Sequence, residues 1–259
     1  MNELLDLART VALEAAELVR VRRRGHVDVA ATKTSPTDVV TEVDRASERL
    51  IYDRLLAARP SDGFLGEEGG SETSESGVTW VVDPIDGTVN FLYGIPRYAV
   101  SVAAQVDGEV TVGVVVDVTA GECFTAELGG GAFHDGAPIR VRPVVPLGER
   151  LVGTGFSYRP DVRALQARAV AGLLLEVRDI RRAGAAALDL TSVAAGQLDG
   201  FVEEGLRPWD LAAGGLIARE AGARVEVHPG AGGLDLVVAA PEAGFEEFLD
   251  LVIRCGFRS

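Results

Sequence analysis

Lysine is almost missing from this chain: of 25 basic residues only Lys33 is a lysine, and the rest are arginines. Cysteine and histidine are nearly as scarce, with two and three residues in 259. Cys123 and Cys255 lie far apart without a CxxC pairing, which gives no zinc site and no disulfide framework and fits a reducing cytoplasm. His26, His134 and His228 are scattered, so neither a histidine-based metal site nor a triad is suggested. No apolar run approaches a membrane span. Acidic residues interrupt the N-terminal apolar positions and the basic cluster follows them, which is unlike a signal peptide. The formal net charge is -14, so phosphate backbones and anionic lipid are repelled at long range, and no nucleic-acid or membrane partner is expected. There is no GxxxxGK[ST] loop and no GxSxG elbow, and "GTGFSY" and "PGAGG" are poor dinucleotide fingerprints. Catalysis by a side-chain nucleophile therefore has little support.

Leu4, Leu7, Val11, Ala15, Leu18 and Val19 recur at helical spacing, predicting an amphipathic N-terminal helix. The arginines at 20 and 22–24 read as cations at its C-terminus before Gly25, rather than as a binding patch. A polar loop with Pro36 leads to a helix from about Asp44 to Ala58, and residues 61–77 read as an acidic loop. From Ala99 to Arg142 the pattern predicts an antiparallel meander, with a hairpin at Asp107–Glu109 and "IRV" as its last strand. The second half alternates: strand "LVGTGFS", a long helix from Asp161, helix "AAALDLTSVAAGQL", strand "GFVEE", helix "PWDLAAGGLIAREAG", strand "LDLVVAA" and a final helix. The shift near Val144–Leu151, with Pro143 and Pro146, marks the expected boundary between subdomains 1–145 and 146–259. Helices and sheets on both sides of it predict a layered α/β sandwich, an α+β arrangement rather than independent domains.

The acids carry the chemistry. In "WVVDPIDGTVNF", Val81 and Val82 read as the end of a buried strand, and Asp83 and Asp86 close it across Pro84 and Ile85. Two carboxylates there repel unless a cation lies between them. Glu67 and Glu68 in "GEEGG" taken alone fit a solvated loop, and Asp210 in "PWD" fits a helix N-terminal acid. Hard oxygen ligands in this number suit Mg2+. Gly87 and Thr88, a glycine turn entering a short helix, offer N–H groups to an anion. Together these describe a metal-dependent phosphate site.

"DPIDGTVNF", with "GEE" upstream and "WDLAAG" downstream, resembles the inositol monophosphatase family of Mg2+-dependent, lithium-sensitive phosphatases, its bacterial members in particular. The likeness extends to "KTSPTDVVTEVD" at 33–44, "RRAGAAALDLTSVAAGQLDGFVEEG" at 181–205 and "EAGARV" at 220–225. It implies an αβαβα sandwich of the inositol monophosphatase and fructose-1,6-bisphosphatase type, a cytoplasmic homodimer, and a small phosphomonoester substrate. It further implies that Glu67, Asp83 and the Ile85 carbonyl hold one Mg2+, that Asp83, Asp86 and Asp210 hold a second, and that a third lies near Glu67. Glu67 with Thr88 would position and deprotonate the attacking water, and Gly87 and Thr88 would bind phosphate. Glu203, Ala186 and Asp86 would face the hydroxyls of an inositol ring. Lys33, Asp38, Asp44 and Glu68 would shape a loop over the metals. The departure is Val89, where many members carry a second threonine. The expected reaction is hydrolysis of myo-inositol monophosphate. The alternatives keep the chemistry on histidinol phosphate, a sugar phosphate or a 3'-phosphoadenosine nucleotide, or make the chain a regulatory binding protein with a phosphatase core.

Overall fold

A computed structural model of the chain describes residues 3–24, 29–32 and 39–258. The first elements are α1 (Glu3–Arg22), β1 (Val29–Thr32), β2 (Val39–Thr41), α2 (Glu42–Ala58), β3 (Gly63–Gly66), β4 (Ser71–Glu72), β5 (Val78–Asp86) and α3 (Thr88–Tyr93). The meander follows as β6 (Ala99–Val106), β7 (Glu109–Asp117), β8 (Glu122–Glu127), β9 (Gly131–His134) and β10 (Ala137–Pro138). The second half holds β11 (Leu151–Thr154), α4 (Pro160–Glu176), β12 (Asp179–Arg181), α5 (Ala186–Ala194) and β13 (Gly200–Glu204). It ends with α6 (Pro208–Glu220), β14 (Ala223–Pro229), β15 (Asp235–Pro241) and α7 (Phe245–Arg254).

Strands β3 to β10 form an eight-stranded sheet in the order β10-β9-β8-β7-β6-β5-β3-β4, and β11 to β15 form a five-stranded sheet in the order β12-β11-β13-β15-β14. Strand alternation sends one set of side chains to each face. Trp80 and Val82 of β5, Val100 and Val102 of β6, and Val112, Val114 and Val116 of β7 pack with Val11, Ala15, Ile51 and Leu55 of α1 and α2. Val81, Ala99, Ala103 and Val115 point the other way, onto Ala187 and Leu188 of α5 and Ala213, Leu216 and Ile217 of α6. That helix pair turns its opposite face to Phe201, Val237 and Ala239 of the smaller sheet. The outer face of the smaller sheet is covered by Leu173 of α4 and Phe245, Phe248 and Val252 of α7. The layers are thus α, β, α, β, α, the expected sandwich.

The central helix layer is thin because its residues are small. A methyl group on Gly113 of β7 would meet the Ala213 carbonyl oxygen of α6 at 2.8 Å, so helix and sheet touch there through backbone. Overpacking that contact would cost about 1–3 kcal/mol.

Four local expectations are corrected. The acidic loop contains β3, which pairs parallel to β5 from Gly63 opposite Thr79 to Gly66 opposite Val82. Four residues rich in glycine carry no strand signal of their own; the long-range partner makes the strand. Residues 139–141 are not a strand: Ile139 N–H goes to Ala132 O and Val141 N–H to Ala221 O, outside any ladder. Strand β5 does not end at Val82 but runs to Asp86, with its register to β6 shifting between Asp83 and Asp86. Strands β12 and β14, the two edges of the smaller sheet, were not expected.

Candidate active site

The register shift in β5 builds the site. Asp83 pairs with Ser101 and Asp86 with Ala99, so Pro84 and Ile85 form an irregularity against β6. Pro84 has no N–H to give the ladder, which suits that position. The Ile85 N–H turns back to Asp83 Oδ1 at 3.0 Å. From α2, Ser47 donates its hydroxyl to Pro84 O at 3.1 Å. The Thr88 hydroxyl lies 3.0 Å from both Asp44 Oδ1 and Ile85 O, which places Asp44 beneath the turn. Asp44 also closes the N-cap of α2 with Thr41, whose backbone N–H it accepts at 2.8 Å. Gly87 precedes α3 with φ +91, a left-handed conformation that glycine adopts without strain. A side chain there would press on Arg97 O, Gly184 O and Ala185.

Three other elements bring the remaining acids. The parallel pairing of β3 with β5 delivers Glu67 beside Asp83, and the Glu67 N–H reaches Val82 O at 3.2 Å. Helix α6 begins next to β6, where Ser101, the register partner of Asp83, donates to Trp209 O at 3.3 Å. That contact sets Asp210 over Asp83, and Asp210 is steadied by the Arg207 N–H at 2.6 Å. Helix α5 points its first amides at Asp86, which accepts Ala186 N–H at 3.1 Å and Ala187 N–H at 2.8 Å.

Asp83, Asp86 and Asp210 bring carboxylate oxygens within 4.8 Å of one another. Asp83 is 1 % exposed and lies against the carboxylates of Asp86 and Asp210. Burial, then the charges of Glu67, Asp86 and Asp210, push its carboxyl well above the usual range. Asp210 is pushed up to about 8 by burial and by Glu67 and Asp86. Asp86 rises only to about 6, because the Ala187 and Ala186 N–H groups favour its charge against the cost of burial. Crowded carboxylates ionise together only with a cation among them. An all-oxygen donor set of this kind fits Mg2+ and does not fit a soft metal.

The acids form one wall of a cavity of about 520 Å3 that is also lined by Ile85, Gly87, Thr88, Gly155, Arg182, Ala186 and Glu203. Glu203 on β13 lies directly over Gly155, where any side chain would collide with its carboxylate. Burial, with the nearby charges of Asp189 and Asp210, lifts Glu203 to about 8, and Arg182 opposes the rise. Glu68 faces a separate hollow of about 390 Å3 with Arg45 and Tyr52. Lys33 and Asp38 lie outside the described residues.

Sequence reasoning missed several supports of this site. Ser47 and Glu48 belong to the buried face of α2, with Asp44, Ile51 and Leu55, at helical spacing. Polar residues on that stripe were a readable signal. Asn90 donates its amide to Arg97 O at 2.7 Å and Ala183 O at 2.8 Å, tying α3 to the entry of α5. Arg97 donates to Leu188 O and to the buried Asp189. Ala183, Leu188 and Asp189 are about 90 residues away from these donors in sequence, and no local pattern announces them.

The family model described as "Inositol monophosphatase family" matches residues 1–245. The chain belongs to the inositol monophosphatase family. It is accordingly an enzyme of the phosphoric-monoester hydrolase class. It is similar to inositol-1-monophosphatase SuhB of Mycobacterium tuberculosis, 48 % identical over 95 % of this chain and 91 % of that protein. It is also similar to a protein named Nus factor SuhB in Vibrio cholerae, 36 % identical over 99 % and 98 % of the two chains. Among solved structures, the IMPase of Thermotoga maritima superposes with a TM-score of 0.88 at 33 % identity, over 98 % of each chain. The αβαβα layering and the acid-lined cavity are thus found in a chain that inositol monophosphatases match from end to end.

Proposed function

We propose that the chain is a Mg2+-dependent phosphomonoesterase that hydrolyses myo-inositol monophosphate to inositol and phosphate. The observation that carries this is Glu203: among the described residues nothing hydrogen-bonds its carboxylate, and it lines the same cavity as the acid cluster, near Asp210. A ring of hydroxyls would offer it several donors and adenine fewer, while the ammonium of an amino alcohol is the competing partner that a substrate panel separates. Glu67, Asp83, Asp86, Asp210 and the Ile85 carbonyl would hold two or three Mg2+. Bound there, the metal supplies an acidified water and neutralises charge on the leaving oxygen.

The chain's own residues do the rest. Glu67 would take the proton of the attacking water, and the Thr88 oxygen would accept a hydrogen bond from that water and fix its direction, with the Thr88 hydroxyl itself oriented by Asp44 from below. The backbone N–H groups of Gly87 and Thr88 would bind the phosphate, from the turn that the left-handed Gly87 makes before α3. Asp86, Glu203 and the Ala186 segment border the ring; the Ala186 N–H is already engaged by Asp86, so this amide serves the ring through that carboxylate. Attack by water in line with the leaving group needs no covalent intermediate.

We expect a cytoplasmic homodimer inhibited by lithium; among the described residues no helix is long and apolar enough to cross a membrane. A second reading, a regulatory role in binding other macromolecules, is motivated by the name of the Vibrio cholerae relative. The intact acid cluster supports catalysis instead. Phosphate release should be measured on myo-inositol 1-phosphate, histidinol phosphate, sugar phosphates and 3'-phosphoadenosine 5'-phosphate. Strong turnover elsewhere with none on the inositol ester would reject the substrate assignment.

A further inference from the structure

Glu48 is a buried carboxylate, 7 % exposed, that the proposed chemistry does not use. It projects from α2 to the back of the loop that follows β3. Its Oε2 accepts the Glu68 N–H at 2.7 Å and its Oε1 accepts the Gly70 N–H at 3.0 Å. The loop closes on itself through Gly66 N–H to Gly70 O at 2.8 Å. On the other side, the Glu67 N–H is held by Val82 O of β5. Glu67 is therefore fixed from both flanks, by β5 in front and by Glu48 behind.

The sequence of the loop is fitted to this contact. A side chain on Gly66 would fall on the Glu48 carboxylate, and a methyl group on Gly70 would come within 3.0 Å of Oε1. Two backbone N–H groups two positions apart converging on one carboxyl group favour a single loop conformation. A glutamine at 48 could accept from one N–H but would set its own NH2 against the other. Asp44 and Ser47 reach Thr88 and Pro84 from the same face of α2.

We infer that Glu48 is a positioning residue: through the backbone of Glu68 and Gly70 it presents Glu67 to Asp83 and Asp210 before a cation arrives. This rests on Glu67 being a metal ligand, so the test carries Glu67→Gln beside Glu48→Gln and Glu48→Asp. Phosphate release would be followed against Mg2+ concentration at saturating substrate, together with the melting-temperature rise that Mg2+ gives. Glu48→Gln should raise the half-saturating Mg2+ concentration on the order of tenfold, as loss of a support behind a metal ligand does. At saturating Mg2+ the substrate KM should stay within about twofold, since the phosphate turn is a different element. Glu48→Asp, shorter but charged, should fall between, and it carries the comparison if the glutamine variant does not fold. A purely structural contact would lower the melting temperature without moving the Mg2+ dependence. Wild-type Mg2+ dependence in the Glu48 variants, with Glu67→Gln impaired, would overturn the positioning role alone. Wild-type dependence in Glu67→Gln would remove the ligand reading and the role of Glu48 with it.

Discussion

The two walls of the cavity are built differently. On the acid wall Asp86 and Asp210 accept hydrogen bonds from the backbone N–H groups of Ala186, Ala187 and Arg207, and Asp83 accepts the Ile85 N–H. The other wall comes from the smaller sheet, where Glu203 of β13 stands over Gly155 with no hydrogen-bond partner among the described residues. The first wall is organised by the chain itself; under the proposed function the second would be completed by its substrate. Such a division lets one metal chemistry be kept while the substrate wall varies.

Losing the acid wall should have the largest effect. Asp86→Asn should abolish turnover while the protein remains folded, because the amide oxygen can still accept one of the two α5 amides. Steady-state phosphate release and a circular dichroism melt would check both halves of that statement. EDTA should act as the variant does, but reversibly on adding Mg2+. Full activity in either case would mean that the two walls do not differ in the way described.

Glu203→Gln separates the walls. We expect KM for myo-inositol 1-phosphate to rise on the order of tenfold, from weakening the hydrogen bonding of the ring hydroxyls with the Glu203 carboxyl group, a net contribution of about 0.5–1.5 kcal/mol. Turnover of an aryl phosphate, which has no ring hydroxyls, should be unchanged. Gly155→Ala, which displaces Glu203 without removing it, should raise the same KM by less.

The acid wall also predicts a pH effect of known sign. Asp83, Asp86 and Asp210 titrate above their ordinary values in the folded chain. Between the ordinary aspartate value near pH 4 and about pH 8, the folded state thus binds more protons than the unfolded one. These groups therefore stabilise the metal-free protein less as pH rises through that window. The melting temperature in EDTA should fall from pH 6 to pH 8, and Mg2+ should remove most of the fall. A flat metal-free profile would mean that the acids are not crowded in solution.

The same contrast explains what the sequence made legible. Asp83, Asp86, Gly87 and Thr88 lie within six residues, and their chemistry is unusual enough to read directly. The helix that Asp210 opens was readable from Pro208, but the acid alone reads as a helix N-terminal residue and its place in the site came only from the family resemblance. The sandwich followed from alternation and helical spacing. Strand β3 did not, because its four residues are strand only by pairing with β5. Gly155 gave no signal either: its importance is the room it leaves for Glu203, 48 positions on and on another strand. Asn90 stood in full view inside the opening motif, yet its two carbonyl partners could be seen only after folding.

The most direct measurement is a calorimetric Mg2+ titration of metal-free wild type, Asp210→Asn and Glu203→Gln, each without substrate. If the walls have separate tasks, Asp210→Asn loses or severely weakens a Mg2+ site and Glu203→Gln binds Mg2+ as wild type does. Indistinguishable titrations of wild type and Asp210→Asn, or an equal loss in Glu203→Gln, would contradict the account.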